Sequence, residues 1–409
     1  MTSQAASLLG NPALRQALEL LNGDGEEARV VGGAVRNALL GRPVHEFDIA
    51  TTATPDVVVA RAENARLRSI PTGIAHGTVT VLVGGVPFEI TTLREDVETD
   101  GRHAVIRFGR DFVDDARRRD FTINALSMGL DGQVHDYTGG LADLAARRVR
   151  FIGDAGQRIR EDFLRVLRFF RFSADYADGP LDAEGLAAAI RERAGLAILS
   201  RERIRQELLK LLVARRAAAV VAVISECGLL GPLLHGVAQP ARLSRLLRID
   251  PEADGPLRLA ALGVQISEDA ERLRMALRLS NQEAARLDTA AKALVALHGI
   301  DLPPPIGDLR TMLFRAGRQG ACDALRLAQA ESRAAASDSA WSAALRFLRD
   351  TPEPHMPFSG ADLMARGFSG RALGEALKNL QAQWIRAGFP QDSRTLAALL
   401  DDVGKSTPS

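Results

Sequence analysis

Several things are scarce in this sequence, and each scarcity excludes something. Cysteine occurs only at Cys227 and Cys322. The two are far apart and sit in helical sequence, which excludes a disulfide framework and a paired-cysteine zinc site. Lysine is nearly missing: Lys210, Lys292, Lys378 and Lys405 are the only four, and arginine makes up the rest of the 52 basic residues. Against 51 acids this leaves a net charge of +1, so no global field draws a polyanion, and any nucleic-acid surface must be local. No apolar run approaches the ~20 residues of a membrane span, and the first residues lack a signal-peptide pattern. The expectation is a cytoplasmic protein without membrane contact. No internal repeat is visible, and a single histidine, His135, is followed by aspartate, which gives little support to a His-Asp metal phosphohydrolase.

What remains is 46% hydrophobic and 25% charged over 409 residues. That is an ordinary globular composition, too long for one core, and so implies two or more domains. Alanine and leucine dominate the second half and favour helices.

One stretch concentrates chemistry. Ala28 to Val31 reads as a short apolar strand, Gly32-Gly33 as the turn into a helix ended by Gly41, and Glu46 to Ala50 as a second strand. Side chains two apart on a strand share a face, so Glu46 and Asp48 can grip one hard cation while Phe47 faces away. Backbone N–H groups at Gly32 and Gly33 suit a phosphate, and Arg36 offers a planar fork of donors on the first helical turn. Each part alone is ordinary turn or edge chemistry. Their coincidence within one short unit points to metal-assisted handling of a nucleoside triphosphate.

Around it, the pattern predicts a helix over Pro12–Leu21 capped by Asn11, and another from Pro55 to about Ala65 capped by Thr54. Strands are predicted near Arg68–Ile70, over Thr78–Val83 and, after a Gly84-Gly85 turn, over Pro87–Thr92. On that last strand Glu89 lies opposite Phe88 and Ile90, a candidate third carboxylate. Residues 94–115 read as a mobile loop, Leu130–Gln133 as a hairpin turn, and Val149–Ile152 as the last strand. From Glu161 the period switches to 3.6. Asp162, Arg165, Arg168 and Arg171 fall three apart, forming one polar stripe on a helix. Its ordinary meaning is a surface ion pair plus solvated arginines; the alternative is a ruler that reads the edge of a nucleobase.

The ordered set Val31–Arg36, Asp48–Thr51, Thr72–Thr78, Thr92–Asp96, Arg118–Leu126 and Glu161-Asp162-x-x-Arg165-x-x-Arg168-x-x-Arg171-Phe172 resembles the class II tRNA nucleotidyltransferases. These are the CCA-adding enzymes and their relatives the bacterial poly(A) polymerases. The resemblance covers roughly residues 25–240. It implies an α+β fold: a polymerase-β-like nucleotidyltransferase head followed by all-α neck, body and tail. Expected boundaries are an N-terminal helix at 1–24, head 25–155, neck 156–240, body 241–300 and tail 301–409.

It further implies Mg2+ on Glu46 and Asp48, with Glu89 assisting the metals or the attacking hydroxyl. Gly32, Gly33 and Arg36 would hold the triphosphate, and Arg119 with Asp120 would lie against the nucleotide. Asp162 and Arg165 would read the base of CTP or ATP, supported by Arg168 and Arg171. The expected partner is tRNA, as monomer or homodimer. The family usually has Asp-x-Asp where this chain has Glu46-Phe47-Asp48; glutamate remains a hard oxygen ligand. Rival readings are a poly(A) polymerase, a CC-only or A-only enzyme, and a catalytically inactive RNA-binding protein.

Overall fold

The computed structural model describes residues 5–74, 77–100 and 103–405. The Ala75-His76 centre of the 72–78 motif therefore lies outside the described residues. The chain divides into two compact units, Met1–Arg203 with Ala214–Arg216, and Ile204–Val213 with Ala217–Ser409.

The first unit contains strands β1 (Ala28–Val31), β2 (Asp48–Thr51), β3 (Arg68–Gly73), β4 (Thr78–Val83), β5 (Val86–Thr92), β6 (Arg94–Asp100), β7 (His103–Phe108), β8 (Ser127–Met128) and β9 (Val134–His135). Its helices are α1 (Pro12–Leu21), α2 (Gly33–Leu39), α3 (Pro55–Asn64), α4 (Phe112–Arg117), α5 (Gly140–Ala145), α6 (Ala155–Glu161), α7 (Leu164–Tyr176) and α8 (Ala183–Arg191). Seven strands form one mixed sheet in the order β3-β4-β5-β2-β1-β8-β9. Only β2 and β5 pair in parallel, with Asp48 beside Glu89 and Ile49 beside Ile90. Alternation decides the faces: Phe88 and Ile90 are buried and Glu89 is exposed. Helix α1 starts as its sequence dictates, the Asn11 carboxamide oxygen accepting from Ala13 N–H at 3.0 Å and Leu14 N–H at 3.2 Å. Its buried stripe of Leu14, Ala17, Leu18 and Leu21 packs on β1, β4 and β5.

Five expectations need correction. Strand β2 begins at Asp48, so Glu46 precedes it on exposed chain. Thr54 holds the N-cap position of α3 without a side-chain capping bond. The expected loop 94–115 is instead the β6–β7 hairpin, with Val97 opposite Val105, followed by α4. The density of charged residues over 94–115 obscures the strand period in the sequence. Residues 149–152 form no strand: Phe151 makes one isolated bridge to Phe121, because the chain after Phe121 turns into a 3-10 segment at Thr122–Asn124. Finally, the helix expected from Glu161 is interrupted: α6 ends at Glu161, and Asp162 is extended, at φ −154° and ψ 105°.

Helix α9 (Arg201–Leu212) contains the division between the units. The second unit continues with α10 (Ala217–Glu226), α11 (Leu230–Leu234), α12 (Pro240–Ile249), α13 (Gly255–Gly263), α14 (Ser267–Leu277), α15 (Asn281–Leu294), α16 (Ile306–Glu331), α17 (Ser339–Asp350), α18 (Gly360–Met364), α19 (Gly370–Arg386) and α20 (Ser393–Lys405). Arginine serves here as an internal clasp. Buried Arg242 donates to the Ala261 and Ala260 carbonyls at 2.7 and 2.9 Å, and buried Arg258 reaches the Leu212 carbonyl at 2.8 Å. These bonds satisfy acceptors left over at helix ends. Helix α16 breaks at Gly317, whose φ of +65° suits glycine. Beyond it, Trp384 and Phe389 meet edge to face at 4.9 Å in a separate C-terminal core.

Asn11→Ala removes the α1 cap and is expected to cost about 1 kcal/mol, read as a lower urea midpoint for the first unit.

Candidate active site

The turn between β1 and α2 is the anchor. Gly32 has φ +67° and ψ −120°, a conformation that a side chain strains. A Cβ there would also stand 3.2 Å from Nη1 of Arg119. Beside this turn opens a cavity of about 570 Å³. Gly32, Gly33 and Arg36 line it, together with Glu46 and Asp48 from the start of β2 and Arg119, Asp120 and Asn124 from the segment after α4. Asp162, Leu164, Arg165, Arg168, Arg171 and Phe172 from the α6–α7 region and Arg203 from α9 complete the lining. Eleven of the twelve residues singled out in the sequence are thus brought together. The twelfth, Glu89, is outside the lining but sits beside Asp48 in the β2–β5 register.

The carboxylates crowd one another. Phe47 is buried and stacks on Phe88 at 5.7 Å, which leaves Glu46 and Asp48 exposed on either side of it. Partial loss of solvent within the cavity wall, then the negative charge of Glu89 and Glu46, push the Asp48 carboxyl above its usual range, with Arg119 opposing. Hard oxygen donors held against mutual repulsion suit a divalent cation. Among the described residues no three such side chains stand close enough to hold a metal ion as they are. The fit therefore rests on donor chemistry and on the strain at Asp48.

Arg36 and Asp120 build the floor. Arg36 is only 6% exposed. It donates to the Asn124 carboxamide oxygen, to the Tyr176 hydroxyl at 2.8 Å and to the Asn37 carboxamide oxygen at 3.0 Å. Its guanidinium lies 4.1 Å over the Tyr176 ring. Among the described residues it has no carboxylate ion pair, and burial lowers its pKa. Asp120, also buried, pairs with Arg168 at 2.6 Å and accepts from Asn124 Nδ2 at 3.0 Å. Burial opposes its ionisation, but Arg168 and the bonds from Asn124 and the Phe121 N–H more than offset that and hold its pKa low. Asp120 therefore orients Arg168 and does not present free oxygens to the cavity. Arg119 is fixed in turn by Asp115 at 2.8 Å.

The polar stripe is rearranged by the break at Asp162. One Asp162 oxygen accepts from the Leu164 N–H at 3.1 Å, and the other pairs with Arg203 at 2.7 Å. Arg165 turns to the Arg158 carbonyl at 2.8 Å and to Glu161, so the expected Asp162–Arg165 pairing is not made. Arg203, Asn124 and Tyr176 escaped the sequence reading of the site. The capping preference of aspartate could have signalled the break at Asp162, but nothing local announces a partner 41 residues away.

Residues 28–150 match the family model described as the poly A polymerase head domain, and residues 183–239 match that of the probable RNA- and SrmB-binding site of polymerase A. These findings define a nucleotidyltransferase of the polymerase-β type, a fold that generally uses divalent metal. The mitochondrial CCA tRNA nucleotidyltransferase 1 of Mus musculus is 33% identical over 400 residues, covering 95% of this chain and 89% of its own. The CCA-adding enzyme of Leuconostoc citreum is 43% identical over 217 residues, about half of each chain. The Bacillus stearothermophilus CCA-adding enzyme, solved in complex with CTP, superimposes with a TM-score of 0.73 at 29% identity, over 96% of this chain and 97% of that one. The chain belongs to the CCA tRNA nucleotidyltransferase family.

Asp120→Asn would remove the carboxylate that holds the partly buried Arg168 guanidinium, costing about 2 kcal/mol. The depressed Asp120 pKa stabilises the fold above the unfolded value near 4. That stabilisation disappears as pH falls through the lower folded value. The variant should flatten the acid limb of a stability–pH curve, measured by denaturant titration between pH 2 and 7. Asp48→Asn has the opposite sign. A raised folded pKa means that the ionised form weakens the fold, so the variant should lose nucleotidyl transfer while its melting temperature stays level or rises.

Proposed function

We propose that this protein completes the 3′ end of tRNA, adding C, C and A from CTP and ATP with release of pyrophosphate. The observation that carries this reading is the cavity where the Glu46/Asp48 carboxylates meet Asp162 and six arginines, in a chain of this family.

The triphosphate would approach the backbone at Gly32–Gly33, where no Cβ intervenes. Arg36 would supply positive potential from beneath, most of its donors being spent on Asn37, Asn124 and Tyr176. Arg168 and Arg171 would hold phosphate oxygens, Arg168 in the orientation Asp120 gives it. Magnesium, held by Asp48 with Glu46 and Glu89, would lower the pKa of the RNA 3′-hydroxyl and neutralise the departing pyrophosphate. The chain's own contribution is positioning and charge.

Base choice fits the chemistry of Asp162 and Arg165. Cytosine and adenine both offer an amino donor beside a ring-nitrogen acceptor, which suits a carboxylate beside a guanidinium. Uracil and guanine put a carbonyl where the amino group would be and would face the carboxylate with an acceptor. The finer division into head, neck, body and tail at 155/156, 240/241 and 300/301 belongs to this proposal too.

The test is labelled CTP and ATP, separately and together, on tRNA lacking its last three nucleotides. Growth by three residues and a stop, needing both nucleotides, is expected. Long ATP-only tails would assign a poly(A) polymerase, and a halt after CC or a lone A would mean a divided activity. Glu46→Ala should lower kcat at least ~100-fold with tRNA affinity unchanged; an inactive wild type that still binds tRNA would select the binding-protein reading.

A further inference from the structure

The triple arginine 117–119 sends its side chains in three directions. Arg119 lines the nucleotide cavity. Arg118 pairs with Asp115 and donates to the Arg94 carbonyl at 2.9 Å. Arg117 lines a second cavity of about 380 Å³, walled also by Arg150, Arg158, Tyr137, Thr138 and Thr122. The two cavities flank the same stretch of chain. Residues 120–122 run against 150–152, with Thr122 N–H to the Arg150 carbonyl at 3.1 Å and Ile152 N–H to the Asp120 carbonyl at 3.2 Å.

The second cavity is rich in positive charge. Asp143 is shared by Arg148 and Arg150, and Glu161 by Arg158 and Arg165. The exposed side chain of Arg117 has no ion-pair or hydrogen-bond partner among the described residues. Three guanidinium groups, those of Arg117, Arg150 and Arg158, thus line a cavity whose wall contains no carboxylate. An aromatic surface accompanies them: Tyr137 is 38% exposed, its hydroxyl accepts from Arg29 at 2.9 Å, and its ring is backed by His135 at 6.3 Å. Unspent guanidinium donors beside an anchored aromatic ring match a phosphodiester with an adjoining unpaired base. In a chain of net charge +1, such a local surplus is where a polyanion gains contact.

We propose that this second cavity binds a backbone phosphate of the RNA substrate, with Tyr137 as the stacking surface for a neighbouring base. The proposal rests on the tRNA reading above. Its chemistry is phosphate recognition, and the alternative source is free pyrophosphate, the product. It is tested with Arg117→Glu and Arg117→Lys in the full chain, since Arg117 supports no other side chain.

Affinity for the shortened tRNA is measured directly by anisotropy across a salt series, together with KM for CTP and inhibition by inorganic pyrophosphate. Arg117→Glu should weaken RNA binding about tenfold and reduce the slope of log affinity against log salt by about one. Arg117→Lys should restore most of the affinity, and KM for CTP should stay unchanged. RNA affinity and slope equal to wild type in Arg117→Glu overturn the proposal. If pyrophosphate inhibition alone weakens, the cavity belongs to the product. Binding is read without turnover, so a wild type that adds no nucleotide would defeat the function while leaving this result legible.

Discussion

A buried polar chain holds the cavity together. Tyr176 and Asn37 grip Arg36, Arg36 donates to Asn124, Asn124 to Asp120, and Asp120 closes on Arg168. The chain crosses from α2, which β1 delivers, to α7, whose arginines line the first cavity. Every member but Asn37 and the tip of Arg168 is withdrawn from water, where a hydrogen bond is stronger and an unmade one costs more. Sheet and helix are therefore locked by groups that cannot be released singly. Gly32 can stay in its strained turn because what packs around it is fixed.

This arrangement divides labour among charges that look alike in the sequence. Arg36 and Asp120 are spent on structure, and they set the potential and the orientation of neighbours. Asp48, Arg165 and Arg203 are partly exposed and retain capacity for a ligand. The crowding of Asp48 by Glu46 and Glu89 is a cost that the fold bears for a site able to attract a cation.

Much of this was legible in the sequence because it is local. Caps, period-two alternation and the glycine turn placed α1, β1, β4 and β5, and the alternation around Phe88 and Ile90 exposed Glu89 beside Asp48. What escaped is long-range or competes with a local rule. The spacing of Asp162, Arg165, Arg168 and Arg171 presumes an unbroken helix, whereas aspartate is also a good cap, and at Asp162 the cap won. Its partner Arg203 comes from another helix, and Tyr176 reaches Arg36 across 140 residues. Neither pairing leaves a mark on the sequence around it. The β6–β7 hairpin was hidden by the density of charge over 94–115.

The near-absence of lysine has a consequence at the bench. Every cation lining the first cavity is a guanidinium, which keeps its proton far beyond the range in which an ammonium would begin to lose it. The cavity's positive potential is thus constant through mildly alkaline solution, and any falloff there must originate in the substrates or the metal. Reagents that acylate primary amines would find four side chains in the chain, none of them at either basic cavity. The protein can be tagged sparsely through its lysines with both basic cavities left chemically intact.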